Sequence, residues 1–461
     1  MTDIIANGCL TNGIVKPAKA IRTYTCEELA TYNRRDNAHV AVHGKVYDVS
    51  SFIEKHPGGA DQIALGAGRD ISQLFESYHS DKAFKILEKF YVGELVTNEW
   101  PVYPARGEFY RTLKQRVDKY FKDNNIDPKY DPWMFVRYAF FLGFAFVCTF
   151  TVMHNHDNML FSLFMTAIWG FDVALVAMTF THDSSHFSIT HKPWVWRVFG
   201  AVHDLFHGAS IFMWIHQHTM GHHPFTNVDG RDPDIYTHEH QADIRRIKGY
   251  QPWVPRYIYQ HVYVPLVYCF LGLKTRFQDF FLLRNGRNSA MTLTIPTYSQ
   301  LAQFYIGKFL HINYRITLLY FYMPVWKIIL FNFVAEFVGS YWLALVFQTS
   351  HVISEVEWPQ PDENNELHRD WAELQVATTQ DYATDSWFWS VFTGSLNHQT
   401  VHHLFPGVIQ SHYIKITPIL RETCKEFGIN YHHVPTFWQA LGCHINHLKR
   451  LGQDDTKSKQ A

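Results

Sequence analysis

Two long apolar runs stand out in the middle of the chain. The first extends from Trp133 to about Met153 and is broken only by Arg137 near its start; the second extends from about Met159 to Phe180. Each approaches the roughly 20 residues that cross a bilayer as a helix. The segment between them, His154 to Asn158, is too short for anything but a hairpin and carries no Lys or Arg, which marks it as the far side of a membrane. A second pair of runs, from about Tyr305 to Pro324 and from Val325 to Phe347, predicts another hairpin, although Lys308, His311 and Arg315 interrupt its first member. Between the pairs lie Arg231, Arg245, Arg246, Lys248, Arg256, Lys274 and Arg276, which keep the long middle section cytosolic. Within it, Val262 to Leu273 is apolar but short, the length of an interfacial or buried helix. The pattern thus predicts four spans, 133–153, 159–180, 305–324 and 325–347, in two hairpins, with a helical cap on the cytosolic side.

The N-terminal part has a different texture. Residues 1–20 read as a flexible leader. From there to about residue 97 the apolar positions alternate in short pieces, and Ala38–His43 and Lys45–Val49 form two strands around Gly44. His56-Pro57-Gly58-Gly59 follows, a sharp turn that presents His56 edge-on. His79 comes about two dozen residues later, with Gly66-Ala-Gly68-Arg-Asp70 between and Tyr91-Val-Gly-Glu-Leu95 after it. On these residues the block 21–97 resembles a cytochrome b5 domain, a small α+β fold. The resemblance implies that His56 and His79 are the axial ligands of haem b; two imidazoles leave no open position, so such a haem carries electrons. Residues 98–130 form a polar connector, in which Arg111 to Lys122 fits a helix with a basic face, lying on anionic lipid or simply solvated.

Composition adjusts this picture in three places. Aromatic residues make up 16% of the chain, a load that interfacial anchoring produces, while a mean hydropathy of only −0.18 requires large polar parts beside the spans. The net charge of −1 argues against a nucleic-acid binder. The six cysteines are scattered with no CxxC pair, which predicts free thiols in a reducing compartment, and no cleaved signal peptide is evident.

The candidate chemistry is carried by histidines next to the apolar runs. His182 and His186 are four apart, as are His218 and His222 with His223 beside them; Gln399, His402 and His403 have i, i+3 and i+4 relations. On helices each set shares a face. Seven imidazoles are too many for one ion, so two metals of imidazole-binding type are expected.

These boxes, HxxxH, HxxxHH and QxxHH behind a haem domain, resemble the front-end fatty acyl desaturases, and Asn227–Asp234 and Gln348–Glu355 look most similar to delta-5 members. The boxes by themselves do not separate delta-5 from delta-6, delta-8 or delta-4. The resemblance implies an oxygen-dependent di-iron enzyme in the endoplasmic reticulum membrane, with haem domain and boxes cytosolic. O2 would be co-substrate, cytochrome b5 reductase with NADH the electron source, and a polyunsaturated acyl chain on coenzyme A or phospholipid the substrate. It also adds His351, after the fourth span, with Gln348 as a possible water-mediated partner. The implied ligands are His182, His186, His218, His222, His223, His351, His402 and His403, with Gln399 as a weaker ninth. Asp183 is a candidate to accept a ligand's other N–H. His216 is an adjacent polar residue; His191, His203, His207, His398 and His412 lie off the shared faces; and His238, His240, His432, His433, His444 and His447 are expected to face solvent. The rivals are a haem-fused sphingolipid or acyl hydroxylase and, outside enzymes, a membrane haem electron carrier or a metal transporter.

Overall fold

The computed structural model describes residues 21–97, 99–235 and 243–453; the leader, His238 and His240 lie outside them. The N-terminal block is built on a six-stranded sheet: β1 (Thr23–Tyr24), β2 (Asn33–Arg34), β3 (Asn37–Val42), β4 (Lys45–Asp48), β5 (Arg69–Asp70) and β6 (Tyr91–Leu95), in the order β1-β6-β4-β3-β2 with β5 beside β3. β3 and β4 are antiparallel with Val42 opposite Lys45, so the connection is just His43 and Gly44, both with positive φ (50° and 76°). Two left-handed residues give the turn whose twist matches that of the strands it joins. The predicted hairpin is present, with its first strand shifted one residue toward the N-terminus and its second ending one residue earlier. Ala38, Val40, Val42, Tyr47, Val49, Ile53 and Phe75 fill the core of this block.

Among the described residues, three helices are long and apolar enough to cross a membrane: Pro132–Asn155, Met159–Ser185 and Val325–His351. Asp131 caps the first and Asn158 the second, each accepting a backbone N–H through its side chain. The second and third cross closely where glycines meet: a Cβ on Gly170 would lie 2.2 Å from the Ala335 carbonyl oxygen, and one on Gly339 2.7 Å from that of Gly170. Without water to drive association, helices in lipid pack through such close backbone approach. Lys327, at the start of the third helix, donates to the His156 carbonyl (2.9 Å) and to Asp157 (2.8 Å) in the turn between the first two. Those ends therefore lie together, and His182 and His351 share the opposite end.

The expected span 305–324 is different. Tyr298–Ile312 is helical, a π-helical turn follows at Asn313–Thr317, and the run does not reach the length and apolarity of a span. Its interrupting charges are buried and partnered: Lys308 pairs with Asp279 (2.8 Å), and Arg315 donates to Asn332 (2.6 Å) and lies 4.2 Å over the Trp169 ring. Pro193–His207 and Ile211–His222, which hydropathy runs did not single out, form a pair bent by 111°, the geometry of a broken span or a re-entrant loop. The short apolar stretch near 262–273 folds as two helices, Gln260–Val267 and Leu271–Asn285, joined by a 3-10 turn.

The connector helix, Glu108–Asp123, buries Phe109, Tyr110, Leu113, Val117 and Phe121 against the helix Tyr413–Glu426. Two of its basic residues are engaged by protein: Arg116 donates to Thr423 and Glu426, and Lys114 to the carbonyls of Glu76 and His79 (2.6 and 2.7 Å). The helix thus clamps the haem-type block to the cap through Lys114 and Arg116, while Arg111, Lys119 and Lys122 stay exposed on its outer face. No disulfide joins the described cysteines.

Candidate metal centre and haem pocket

His56 and His79 face one another with ring centroids 6.0 Å apart. His56 follows a 3-10 turn, and the two glycines after Pro57 shape its presentation: a Cβ on Gly58 would come within 2.8 Å of the His56 ring, and Gly59 has φ of 91°. His79 ends the helix Ser72–Tyr78. Each ring is anchored through Nδ1, His56 on the Gly59 carbonyl (3.3 Å) and His79 on that of Phe75 (3.1 Å). Both Nε2 atoms are thereby left for a metal, and the separation suits one ion between two imidazole bonds of about 2 Å. Burial pushes the His79 imidazole down to about 4, with His56 adding to the effect, so both rings are neutral at pH 7 and able to bind metal.

The second centre is assembled from three places in the chain. His182 and His186 sit at the end of the second apolar helix, directly after a π-helical turn, Ala177–Thr181. His218 and His222 belong to a π-helical stretch, Ile215–His222, in which the His223 N–H reaches the His218 carbonyl (3.0 Å). The wider turn stacks residue i over i+4 and i+5 together. Hence His218, His222 and His223 all point one way, where an α-helix would splay them; π-turns of this kind recur at functional sites. Gln399, His402 and His403 share one face of the short helix Gln399–Leu404. All eight histidines implied by the sequence, and Gln399, are buried.

The side chains converge as several groups linked by shared members. His182, His186, His218 and His402 offer ligand atoms within 4.8 Å of one another, and so do His222, His351 and His403; His223 joins His402 and His403 in a third such group. Ring nitrogens face one another across the cage. Nε2 of His182 lies 3.2 Å from Nε2 of His218, which lies 3.3 Å from Nε2 of His223. Nε2 of His186 and of His402 have no hydrogen-bond partner. Burial, reinforced by neighbouring imidazoles, holds His186, His402 and His403 well below the usual histidine range, so they are neutral. Buried ring nitrogens left without a hydrogen-bond partner are costly unless cations fill the gap, and two ions of imidazole-binding type fit this donor set.

The outer nitrogens show how the rings are held. Nδ1 of His222 bonds Asp232 (2.9 Å), that of His351 the Thr378 carbonyl (3.3 Å), that of His403 Gln375 (2.8 Å) and that of His402 the Tyr413 hydroxyl (3.3 Å). Nδ1 of His186 meets the hydroxyl of Tyr78, from the N-terminal block, at 3.1 Å. None of these partners was singled out from the sequence, although Asp232 stands in the segment Asn227–Asp234 that carried part of the resemblance. Asp183 has a different partner from the one expected. Its Oδ2 accepts the Tyr138 hydroxyl (2.6 Å), and its other oxygen stays 4.0 Å from His182 Nδ1, beyond a hydrogen bond. Gln399 Nε2 lies 3.1 Å from His351 Nε2, while its Oε1 is buried without a partner. Because the two amide atoms are interchangeable by a flip, either can face a cation. Gln348 turns to Arg245 and away from His351.

The remaining histidines stay out of the cage. His216 bonds the Phe212 carbonyl and Thr294, His207 the Val173 carbonyl, His398 Thr417 and Ser390, and His191 and His412 meet Asp127. His203 joins none of the ligand groups. His444 and His447 are corrections: both are buried, fixed on the carbonyls of Val352 (2.8 Å) and Ile247 (3.0 Å). His432 and His433 are half-buried. Their helix and strand pack on the cap, which periodicity in a polar C-terminal stretch does not reveal.

Comparison with known proteins matches both parts of the chain to families. Residues 25–96 match the family model for the cytochrome b5-like haem/steroid binding domain and residues 158–435 that for fatty acid desaturase. The chain is 45% identical to an acyl-lipid (8-3)-desaturase of Mortierella alpina, over 94% of this chain and 97% of that protein. It is 39% identical to delta(5) fatty acid desaturase A of Dictyostelium discoideum, over 94% of each. An acyl-lipid (8-3)-desaturase of Physcomitrium patens is 38% identical over 94% of this chain and 92% of its own length. With a haem-type block and a buried histidine cage in one chain, and these relatives matched almost end to end, the protein belongs to the front-end fatty acid desaturases that carry a fused cytochrome b5 domain.

Proposed function

We propose that this chain introduces a cis double bond at delta-5 of C20 polyunsaturated acyl chains attached to lipid, in the endoplasmic reticulum membrane. The cage of eight buried histidines beside the ends of apolar helices carries the reading of the reaction. The names of the relatives, which include delta(5) and acyl-lipid enzymes, support the position and the carrier. In this reading His182, His186, His218 and His402 hold one iron, His222, His351 and His403 the other, and His223 lies between them with Gln399 at the edge. His56 and His79 hold haem b.

Removing hydrogen from an unactivated methylene needs an oxidant no side chain can supply, and two irons with O2 supply it. The residues of the chain do the rest. The histidines fix the ions, Asp232, Gln375, Tyr413 and the Thr378 carbonyl fix the histidines, and buried walls exclude water. Two electrons per double bond come from NADH through cytochrome b5 reductase and the fused domain, whose attachment raises its effective concentration at the site. The basic middle section and the positive-inside rule support a cytosolic haem domain.

Cells expressing the chain and fed di-homo-gamma-linolenic acid should accumulate arachidonic acid, read by gas chromatography of lipid and acyl-CoA fractions. A hydroxylated product, or a new bond at delta-6 or delta-8 of other chains, would replace this reading with the corresponding activity.

A further inference from the structure

We propose that Tyr78 is the positioning residue that couples the haem domain to the metal cage, giving electrons a defined route between them. The inference rests on the reading that His186 holds iron and His79 holds haem. Tyr78 is peptide-bonded to His79, and its hydroxyl lies 3.1 Å from Nδ1 of His186. From one metal-binding ring to the other, the route is covalent except for that one hydrogen bond. His186 Nε2 is the atom left without a partner inside the cage, so Nδ1 carries the proton and the Tyr78 oxygen accepts it. Among the histidines of the cage, this is the one whose outer nitrogen meets a residue of the haem domain.

The surroundings hold this contact in place. The Tyr78 ring lies beside Phe187 (centroids 6.2 Å apart) and against Gly407, where a Cβ would sit 3.1 Å from the ring. Lys114 grips the carbonyls of Glu76 and His79 on either side of Tyr78, and Lys129 donates to the Phe187 carbonyl (3.0 Å). Further out, Arg106 pairs with Asp81 (3.0 Å) and Arg197 with Asp61. Contacts on three sides thus fix the short helix that ends in His79 against the cage. With both groups bound, each transfer would take one electron from ferrous haem, leaving it ferric, to a ferric iron of the pair, leaving it ferrous, with Tyr78 as the bridge and not as a redox carrier. No atom crosses, and the phenol and imidazole keep their protons.

The test uses the full chain, loaded with haem and iron, and its Tyr78→Phe variant. Haem is reduced anaerobically with NADH and cytochrome b5 reductase, then mixed with O2 and acyl substrate while its absorbance is followed by stopped flow. Reoxidation that depends on iron is expected to slow about 10–100-fold in the variant, the range seen when partners of metal ligands are removed. The haem spectrum and iron content should not change. Wild-type reoxidation that is no faster with iron than without would overturn the iron-site reading and this proposal with it. Iron-dependent reoxidation at the wild-type rate in Tyr78→Phe would overturn the role of Tyr78 alone. So would loss of iron from the variant, since the hydroxyl would then be only a prop for His186.

Discussion

Asp232 supplies no ligand atom in the proposed ligand set, yet His222 depends on it. The carboxylate accepts the ring's Nδ1–H and also the backbone N–H groups of Asn227 (2.9 Å) and Asp234 (2.8 Å), so it fixes both the tautomer of the ligand and the turn that follows. Replacing Asp232 with Asn keeps the shape and removes the charge. Iron binding is expected to weaken about 10–100-fold in chelator competition while the haem spectrum is unchanged; unaltered iron affinity would show that the turn alone orients His222. Such partners escape sequence reasoning for a physical reason. Ligands recur at helical spacings, but the groups that hold their outer nitrogens come from anywhere in the fold: Gln375 for His403, Tyr413 for His402, Tyr78 for His186. Asp183, beside His182 in sequence, looks like the better partner and is instead bonded to Tyr138.

At the scale of elements, the helix Phe437–Leu451 illustrates how burial reverses a reading from composition. His444 and His447 lie in a polar stretch, yet both imidazoles are enclosed, His444 between the Val352 carbonyl and Tyr268 and His447 between the Ile247 carbonyl and Ser354. Burial, aided by the charge of Arg245 near both and Arg450 near His447, pushes them down to about 3 and about 4. An unfolded histidine titrates near 6.5. In the window between, the unfolded state binds more protons than the folded one. The stability from neutral burial is therefore complete above about pH 6.5 and is lost as pH falls toward 4, by up to about 1.4 kcal/mol per pH unit for each ring. The melting temperature of the detergent-solubilised protein should drop between pH 7 and pH 5, and the drop should be smaller for His447→Gln. Equal drops would mean that this helix does not sense the proton. The apolar helices were more legible, because a bilayer demands long uninterrupted runs. The helix Tyr298–Ile312 and its continuation were not, since Lys308 and Arg315 find Asp279 and Asn332 only in the fold.

For the whole molecule, the third apolar helix begins where the turn between the first two lies, held by Lys327, and the histidine cage occupies the other end. The two ends should therefore be on opposite sides of the membrane. In sealed microsomes, a Cys placed at Asp157 is expected to resist an impermeant thiol reagent added outside. One placed at Arg34, in the haem domain, should react. Labelling of both from outside would exclude this orientation.

What the sequence alone determined is local and periodic. Three apolar runs became helices because hydrocarbon accepts only continuous stretches with internally bonded backbones. The clustered histidines were readable because residues a turn apart must share a face, and the facing pair His56 and His79 because the His-Pro-Gly-Gly turn leaves few conformations. Tertiary structure decided the rest. It widened Ile215–His222 into a π-helix so that three imidazoles converge, bent 193–222 into a broken pair, and brought Tyr78 to His186 across 108 positions. None of these is written in spacing, because each depends on which distant groups end up within hydrogen-bond reach.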